Sequence, residues 1–121
     1  PYVVPLNYGY RDNVLYFHSA GKGKKLDLLR QHPEVCFEVE SGVKIVQGKD
    51  ACNWGVSFRS IIGYGSAEII TDADEKRRGL DVIMAHYSGG KFEYSDKNLN
   101  RTTVIKVEIS SMTGKCSADQ L

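Results

Sequence analysis

The sequence is poor in the residues that staple, kink or ligate. Its 121 residues include three cysteines, three prolines, one tryptophan and two methionines. Cys36, Cys52 and Cys116 are odd in number and widely spaced, so they do not read as a disulfide framework. Tetrahedral zinc needs several Cys or His ligands paired at short spacing, whereas His18, His32 and His86 lie far from one another and only His32 stands near a cysteine, Cys36. No metal is expected. Neither sign of charge is in excess: 16 Lys and Arg against 15 Asp and Glu leave a formal net charge of +1. Such a field does little to attract nucleic acid or an anionic membrane, and no partner of either kind is expected. No apolar run approaches the roughly 20 residues that span a bilayer, and no charged region leads into an apolar one at the start. The expected compartment is the cytoplasm. The chain opens on Pro1-Tyr-Val-Val-Pro-Leu6 without an initiator Met, and that segment is already strand-like, so further N-terminal sequence is expected before it.

What is present is an ordinary globular mixture, 41% hydrophobic and 26% charged, of a length that suits one domain over residues 1–121. Two β-rich runs, Tyr2 to Tyr8 and Asn13 to Ala20, flank the turn-formers Gly9-Tyr-Arg-Asp-Asn13 and predict a hairpin. Alternation in the second run puts Val14, Tyr16 and His18 on one face and Leu15, Phe17 and Ser19 on the other. Leu26 to His32 holds good helix formers and stops at Pro33, predicting a short helix after a Gly/Lys loop. Val35 to Glu40 reads as a strand, with Val43 to Gln47 pairing or continuing nearby. Ser57 to Ile70 reads as a curved strand in which Gly63 and Gly65 mark a bulge, a bend or close packing. The clearest helix runs from Asp72 to about Tyr87, with Thr71 or Asp72 as N-cap, Leu80, Ile83, Met84 and Tyr87 as its apolar stripe, and Ser88-Gly89-Gly90 as its stop. A polar stretch through Arg101 leads to a final half-buried strand, Thr103 to Ser110, with Ile105, Val107 and Ile109 on one face. The pattern predicts a mainly β fold, an antiparallel Greek-key-like β-barrel carrying two helices.

The segment His18-Ser-Ala-Gly-Lys-Gly-Lys-Lys25 runs into a helix start. It combines backbone donors, glycines that permit close approach and cationic side chains, the three kinds of group that hold a phosphate. A solvated basic surface loop has the same composition, and the residues alone leave both readings open. The Walker spacing is absent, which disfavours nucleotide hydrolysis, and so is a Gly-x-Gly-x-x-Gly fingerprint, which excludes a dinucleotide held in a Rossmann domain.

Several blocks in order resemble the nitroimidazole-resistance (Nim) proteins: Pro1 to Tyr10, Leu15-Tyr-Phe-His-Ser-Ala20, Gly23-Lys-Lys25 with Asp27-Leu-Leu29, and Pro33-Glu-Val-Cys-Phe-Glu-Val39. Arg59-Ser60, Gly63-Tyr-Gly-Ser-Ala-Glu68, Asp74-Glu-Lys76 and Met112-Thr-Gly-Lys115 extend the match over nearly the whole chain. These proteins resemble the pyridoxamine 5′-phosphate oxidase-like superfamily, whose split barrels bind flavin mononucleotide (FMN) at a homodimer interface. The resemblance implies an FMN-binding split β-barrel, a homodimer, and a flavin-dependent reductase acting on a small electron acceptor such as a nitroaromatic. An FMN- or haem-binding carrier or sensor without turnover is the alternative.

By position, the resemblance puts Lys24 and Lys25 on the FMN phosphate and Val4, Pro5, Leu6 and Asn7 along the first flavin-lining strand. His18 and Ser19 fall on a strand that touches the flavin and its phosphate, and their opposite orientation allows at most one of them to reach the phosphate. Ser60 matches a polar position that reaches FMN in the oxidases, where a longer amide stands. His18 also matches a histidine near flavin and substrate, where it would donate a proton; the competing reading is an imidazole packed against barrel neighbours. Trp54, Tyr64 and Tyr87 either line a flavin or dimer surface or belong to the core. The chain has no counterpart of the oxidases' C-terminal substrate-phosphate residues, which disfavours oxidation of pyridoxamine phosphate.

Overall fold

A computed structural model describes residues 1–121. In chain order it contains β1 (Tyr8–Arg11), β2 (Val14–Ala20), α1 (Lys24–Gln31), β3 (Glu34–Val46), β4 (Gly55–Ile70), α2 (Ala73–Tyr87), α3 (Asp96–Arg101) and β5 (Thr102–Cys116). The five strands form one sheet in the order β1-β2-β5-β4-β3, so β5 returns to lie between β2 and β4. No helix is long and apolar enough to cross a membrane. By its contacts the chain divides into two compact units: Pro1–Val35 with Gly65–Ile109, and Cys36–Tyr64 with Ser110–Leu121.

In the first unit, the opening hairpin differs in register from the sequence expectation. The strand starts at Tyr8, where the run from Tyr2 was expected to end, and pairs Tyr8 with Phe17 through Arg11 with Val14. Pro5 has no N–H for a ladder, so the segment before Tyr8 stays irregular. The turn is Asp12-Asn13, with φ of 50° and 67°, the left-handed pair that a two-residue hairpin loop demands and that Asp and Asn tolerate. Gly9 is a strand residue with a packing role. A Cβ there would lie 2.5 Å from the Val82 carbonyl carbon and 2.6 Å from Ile83 Cα, so α2 sits directly on the β1 backbone.

Helix α2 begins where its cap predicts: the Asp72 carboxylate accepts the Glu75 N–H at 2.9 Å. Its buried residues are Gly79, Leu80, Val82 and Ile83, and Tyr87 is half-exposed, so the buried stripe is rotated from the expected one towards the face that meets Gly9. Leu80 and Ile83 join Ile70, Leu99 and Val104 in the core cluster, with Tyr16 and Tyr94 packed against it. Val104 and Ile105 are consecutive, point to opposite faces, and are exposed by only 0% and 2%. Strand β5 is therefore covered on both sides here, where one buried face was expected.

The structure has a third helix that the sequence reading lacked. Ser95 Oγ accepts the Asn98 N–H at 3.1 Å, and Lys76 Nζ donates to the Leu99 carbonyl at 2.9 Å, so both ends of α3 are held from outside its own period. Its six residues bury only Leu99, too little pattern to read. Helix α1 starts two residues before its expected Leu26, and Lys24 and Lys25 form its first turn behind Gly23, whose φ of 141° only glycine adopts readily.

The second unit carries one continuous β3 in place of two runs; Gly42, at φ 63°, carries the chain between them. Strand β5 likewise extends past Ser110 to Cys116. A Cβ on Gly63 would collide with the Phe37 ring, so this glycine serves close packing. Ser57 and Gly63 are the buried residues of this unit. The Ser57 hydroxyl donates to Asp119 Oδ2 at 2.6 Å and accepts from Gln120 Nε2 at 2.8 Å. Ser117 Oγ donates to Asp119 Oδ1 at 2.6 Å and accepts the Phe58 N–H at 3.0 Å. These donors hold the Asp119 carboxyl below its ordinary pKa, Ser117 first and Ser57 next, and they pin the C-terminal turn Ala118–Gln120.

Candidate functional site

The hairpin register builds the site. Its outermost pair is Tyr8 opposite Phe17, and the next residues outward are Asn7 and His18. Pro5, Leu6, Asn7 and His18 line a cleft of about 330 Å³. Leu6 is half-buried, and Pro5, Asn7 and His18 are exposed. Because Pro5 keeps this segment out of the sheet, its backbone polar groups lie beyond the ladder and open to a ligand. Val4 precedes the cleft and is 38% exposed.

His18 stands opposite Val104, on the face of the sheet that carries Tyr16. Ser19 points the other way, opposite Thr103, and its hydroxyl donates to the neighbouring Ala20 carbonyl at 3.0 Å. The cleft thus takes His18 and leaves Ser19 aside. Lys24 and Lys25 stand on the first turn of α1, which has no side-chain cap on its N–H groups. Lys24 Nζ lies 4.9 Å from the centre of the Tyr2 ring, a cation–π distance, and Lys25 is half-buried. Ser60 is half-buried on β4, in the second unit. Trp54 and Tyr64, also of that unit, are 51% and 56% exposed and are not core residues.

A group that the sequence reading did not connect stands at the end of α2. The Tyr8 N–H donates to Tyr87 Oη at 3.2 Å. The Tyr8 and His86 rings are 4.6 Å apart and tilted, and His86 meets Tyr87 edge-on at 4.7 Å. Burial, and then the neighbouring Tyr87, raise the Tyr8 hydroxyl's pKa. These residues are 79 positions apart, beyond the reach of any local spacing.

The charges nearby are structural. Lys106 Nζ reaches Glu75 at 2.9 Å, Glu68 at 3.5 Å and Glu108 at 3.9 Å, with its side chain only 19% exposed. The Glu75 hydrogen bond is the main cause of its raised pKa. Tyr94 Oη donates to Asp81 at 3.0 Å; burial first, and that bond second, push its pKa up to about 12. Arg77 is engaged by Asp74 and Asp96, at 2.9 Å and 3.2 Å. None of these groups lines the cleft.

A family profile described as pyridoxamine 5′-phosphate oxidase matches residues 1–116. Among solved structures, the chain is similar to a candidate 5-nitroimidazole antibiotic resistance protein from Bacteroides thetaiotaomicron VPI-5482: 39% identity, 94% of this chain and 68% of that one, TM-score 0.81. It shares its fold with the flavocytochrome Anf3 from Azotobacter vinelandii, at 24% identity over 98% of this chain and 56% of that one, TM-score 0.80. It also shares it with an FAD- and haem-binding protein from Mycobacterium smegmatis, at 21% identity over 95% and 58%, TM-score 0.79. A search of curated proteins finds no significant match. The profile over residues 1–116, together with the 39% identity to the Bacteroides protein, shows that the chain belongs to the pyridoxamine 5′-phosphate oxidase-like family of split β-barrels.

Proposed function

We propose that this chain binds FMN and works as a flavoprotein reductase of the nitroimidazole-resistance type, passing electrons from a reduced donor to a small acceptor such as a nitroaromatic. The observation that carries this reading is the cleft between the irregular Pro5–Asn7 segment and His18, on the strand that leads through Gly21-Lys-Gly23 into an uncapped helix start bearing two lysines. The donor set suits a phosphate monoester. The free N–H groups at the start of α1, the dipole of that helix and the Lys25 ammonium all favour a dianion, and Gly23 leaves room for it to approach. Lys24 would add a second cation by leaving the Tyr2 ring.

Backbone groups of Val4 to Asn7 would bond the polar edge of the ring system, and the side chains of Pro5 and Leu6 would cover its apolar part. When bound, FMN supplies the hydride chemistry, and the protein supplies orientation and a proton. The His18 imidazole, exposed in the cleft, would hold that proton and give it to the acceptor. Ser60 is proposed as a further polar contact.

We also propose that two copies assemble with FMN at their interface. Val43, Ile45, Trp54, Ile62, Tyr64 and Met112 are all at least 45% exposed within one copy, an apolar surface that a second copy would cover. The chain spans 68% of the length of the Bacteroides relative, so the activity of the whole protein is part of the proposal.

The test is the visible spectrum of the purified protein before and after adding FMN. Flavin bands retained through gel filtration support the reading. A Soret band instead assigns haem, and no uptake of FMN sinks the cofactor. Anaerobic mixing with reduced nicotinamide and a nitroimidazole then separates an enzyme from a carrier. Lys25→Ala should weaken FMN binding by roughly 10-fold or more, the usual worth of a charge-assisted hydrogen bond. His18→Ala should lower turnover and spare FMN.

A further inference from the structure

We propose that Tyr87, supported by His86, is a positioning residue for the cleft: its hydroxyl fixes the Tyr8 amide and so sets the spacing between Asn7 and His18. The inference rests on the cleft being the cofactor site proposed above. Strand β1 is four residues long and lies at the edge of the sheet, so one side of it has no partner strand. Its ladder with β2 starts at Tyr8 and Phe17, and the cleft walls begin one residue further out. Nothing in the ladder holds Asn7. The hydrogen bond next to that residue runs from the Tyr8 N–H to Tyr87 Oη, at 3.2 Å.

The hydroxyl is itself held in place. His86 packs against the Tyr8 ring at 4.6 Å and stands edge-on to Tyr87 at 4.7 Å, so the three side chains limit one another's rotation. Helix α2 lies directly against β1, its backbone at Val82 and Ile83 filling the space where a Gly9 side chain would be. The C-terminal turn of α2 is therefore registered against the first residue of β1, and that residue against the cleft. Tyr87 is 53% exposed, so its hydroxyl is not required to satisfy a buried core. Its removal tests position with little effect on stability.

The test compares Tyr87→Phe with the parent protein by three readouts. Amide hydrogen exchange at Tyr8 should quicken about 2–10-fold, the worth of one net hydrogen bond, and exchange at Leu15 should not change. In protein without cofactor, the Asn7 amide and His18 ring resonances should shift. The dissociation constant for FMN should rise by a similar 2–10-fold, with a fall of at most a few degrees in the melting temperature. His86→Ala should move the same readouts in the same direction by less. Unchanged exchange at Tyr8 would overturn the tether. Faster exchange with unmoved Asn7 and His18 resonances would show that the tether does not reach the cleft, which also overturns the proposal. If the parent protein takes up no FMN, the cofactor reading fails, and the exchange and resonance measurements still decide the role of Tyr87.

Discussion

The two units bury different kinds of residue. Every buried hydrophobic side chain of the chain, from Leu15 to Ile109, belongs to the unit formed by Pro1–Val35 and Gly65–Ile109. The unit formed by Cys36–Tyr64 and Ser110–Leu121 buries a serine and a glycine and leaves Ile45 73% exposed. The first is held by packing, with Ile83 and Val104 at its centre; the second is held by strand pairing and by the Ser57, Ser117, Asp119 and Gln120 hydrogen bonds. Hydrophobic burial is the dominant favourable term in folding, and within one copy the second unit draws on it far less than the first.

The strongest way to break this contrast is a pair of truncations. Ile83→Ala should cost about 2–5 kcal/mol in urea denaturation, as cavity-forming core changes do, whereas Ile45→Ala should cost below about 0.5 kcal/mol in the monomer. Equal costs would abolish the distinction. Glycine replacements sharpen it at a smaller scale. Gly9→Ala drives a methyl into the α2 backbone and should cost about 1–3 kcal/mol, whereas Gly63→Ala meets a Phe37 ring that can turn aside and should cost less. Thermal unfolding of the two variants gives the comparison.

If a second copy covers the apolar surface, Ile45→Glu should weaken self-association by about 10-fold or more in sedimentation and leave the far-ultraviolet spectrum unchanged. A monomeric parent protein would end that proposal.

Titration separates the units by direction. In the first, the Lys106 and Tyr94 pKa values are raised, so the stability they contribute is complete below their ordinary values, about 10, and is lost as pH rises through the folded values, about 12 for Tyr94. The urea midpoint should fall between about pH 10 and 12, and Tyr94→Phe should flatten part of that fall. In the second, the Asp119 pKa is lowered, so its contribution is present above the ordinary carboxylate pKa of about 4 and is lost as pH falls through the folded value. The expected sign is a loosened C-terminal turn, seen in the Ser117 and Gln120 amide resonances and reproduced near neutrality by Asp119→Asn. This is the smallest of the effects, because Asp119 is exposed to solvent.

Much of the fold was legible because its signals are local. Alternation marked β2 and the core of β5, and a cap at Thr71 or Asp72, which the structure places at Asp72, marked the start of α2. Helix α3 was not legible, since its one buried residue, Leu99, makes no period and its ends are held by Ser95 and by Lys76 from another element. Strand β1 starts later than composition predicts, because a β-rich run over Tyr2 to Tyr8 does not reveal that Pro5 has no place in the ladder. For the site, ordered blocks pointed to residues 4–7, His18, Ser19, the two lysines and Ser60. That His18 and not Ser19 lines the cleft follows from strand pairing, and the Tyr8–Tyr87 bond joins segments that no spacing rule connects.

By itself, the sequence determined the alternation of strands, the caps, the turn residues and the lysines behind Gly23, because each depends on a residue and its near neighbours in the chain. Only the tertiary structure decided which apolar residues are covered. Val104 and Ile45 are both β-branched residues in strands, one 0% and the other 73% exposed. The difference is what packs against them. Ile70, Leu80, Ile83 and Leu99 cover Val104 from elsewhere in the chain, and within a single copy most of the Ile45 surface is left bare.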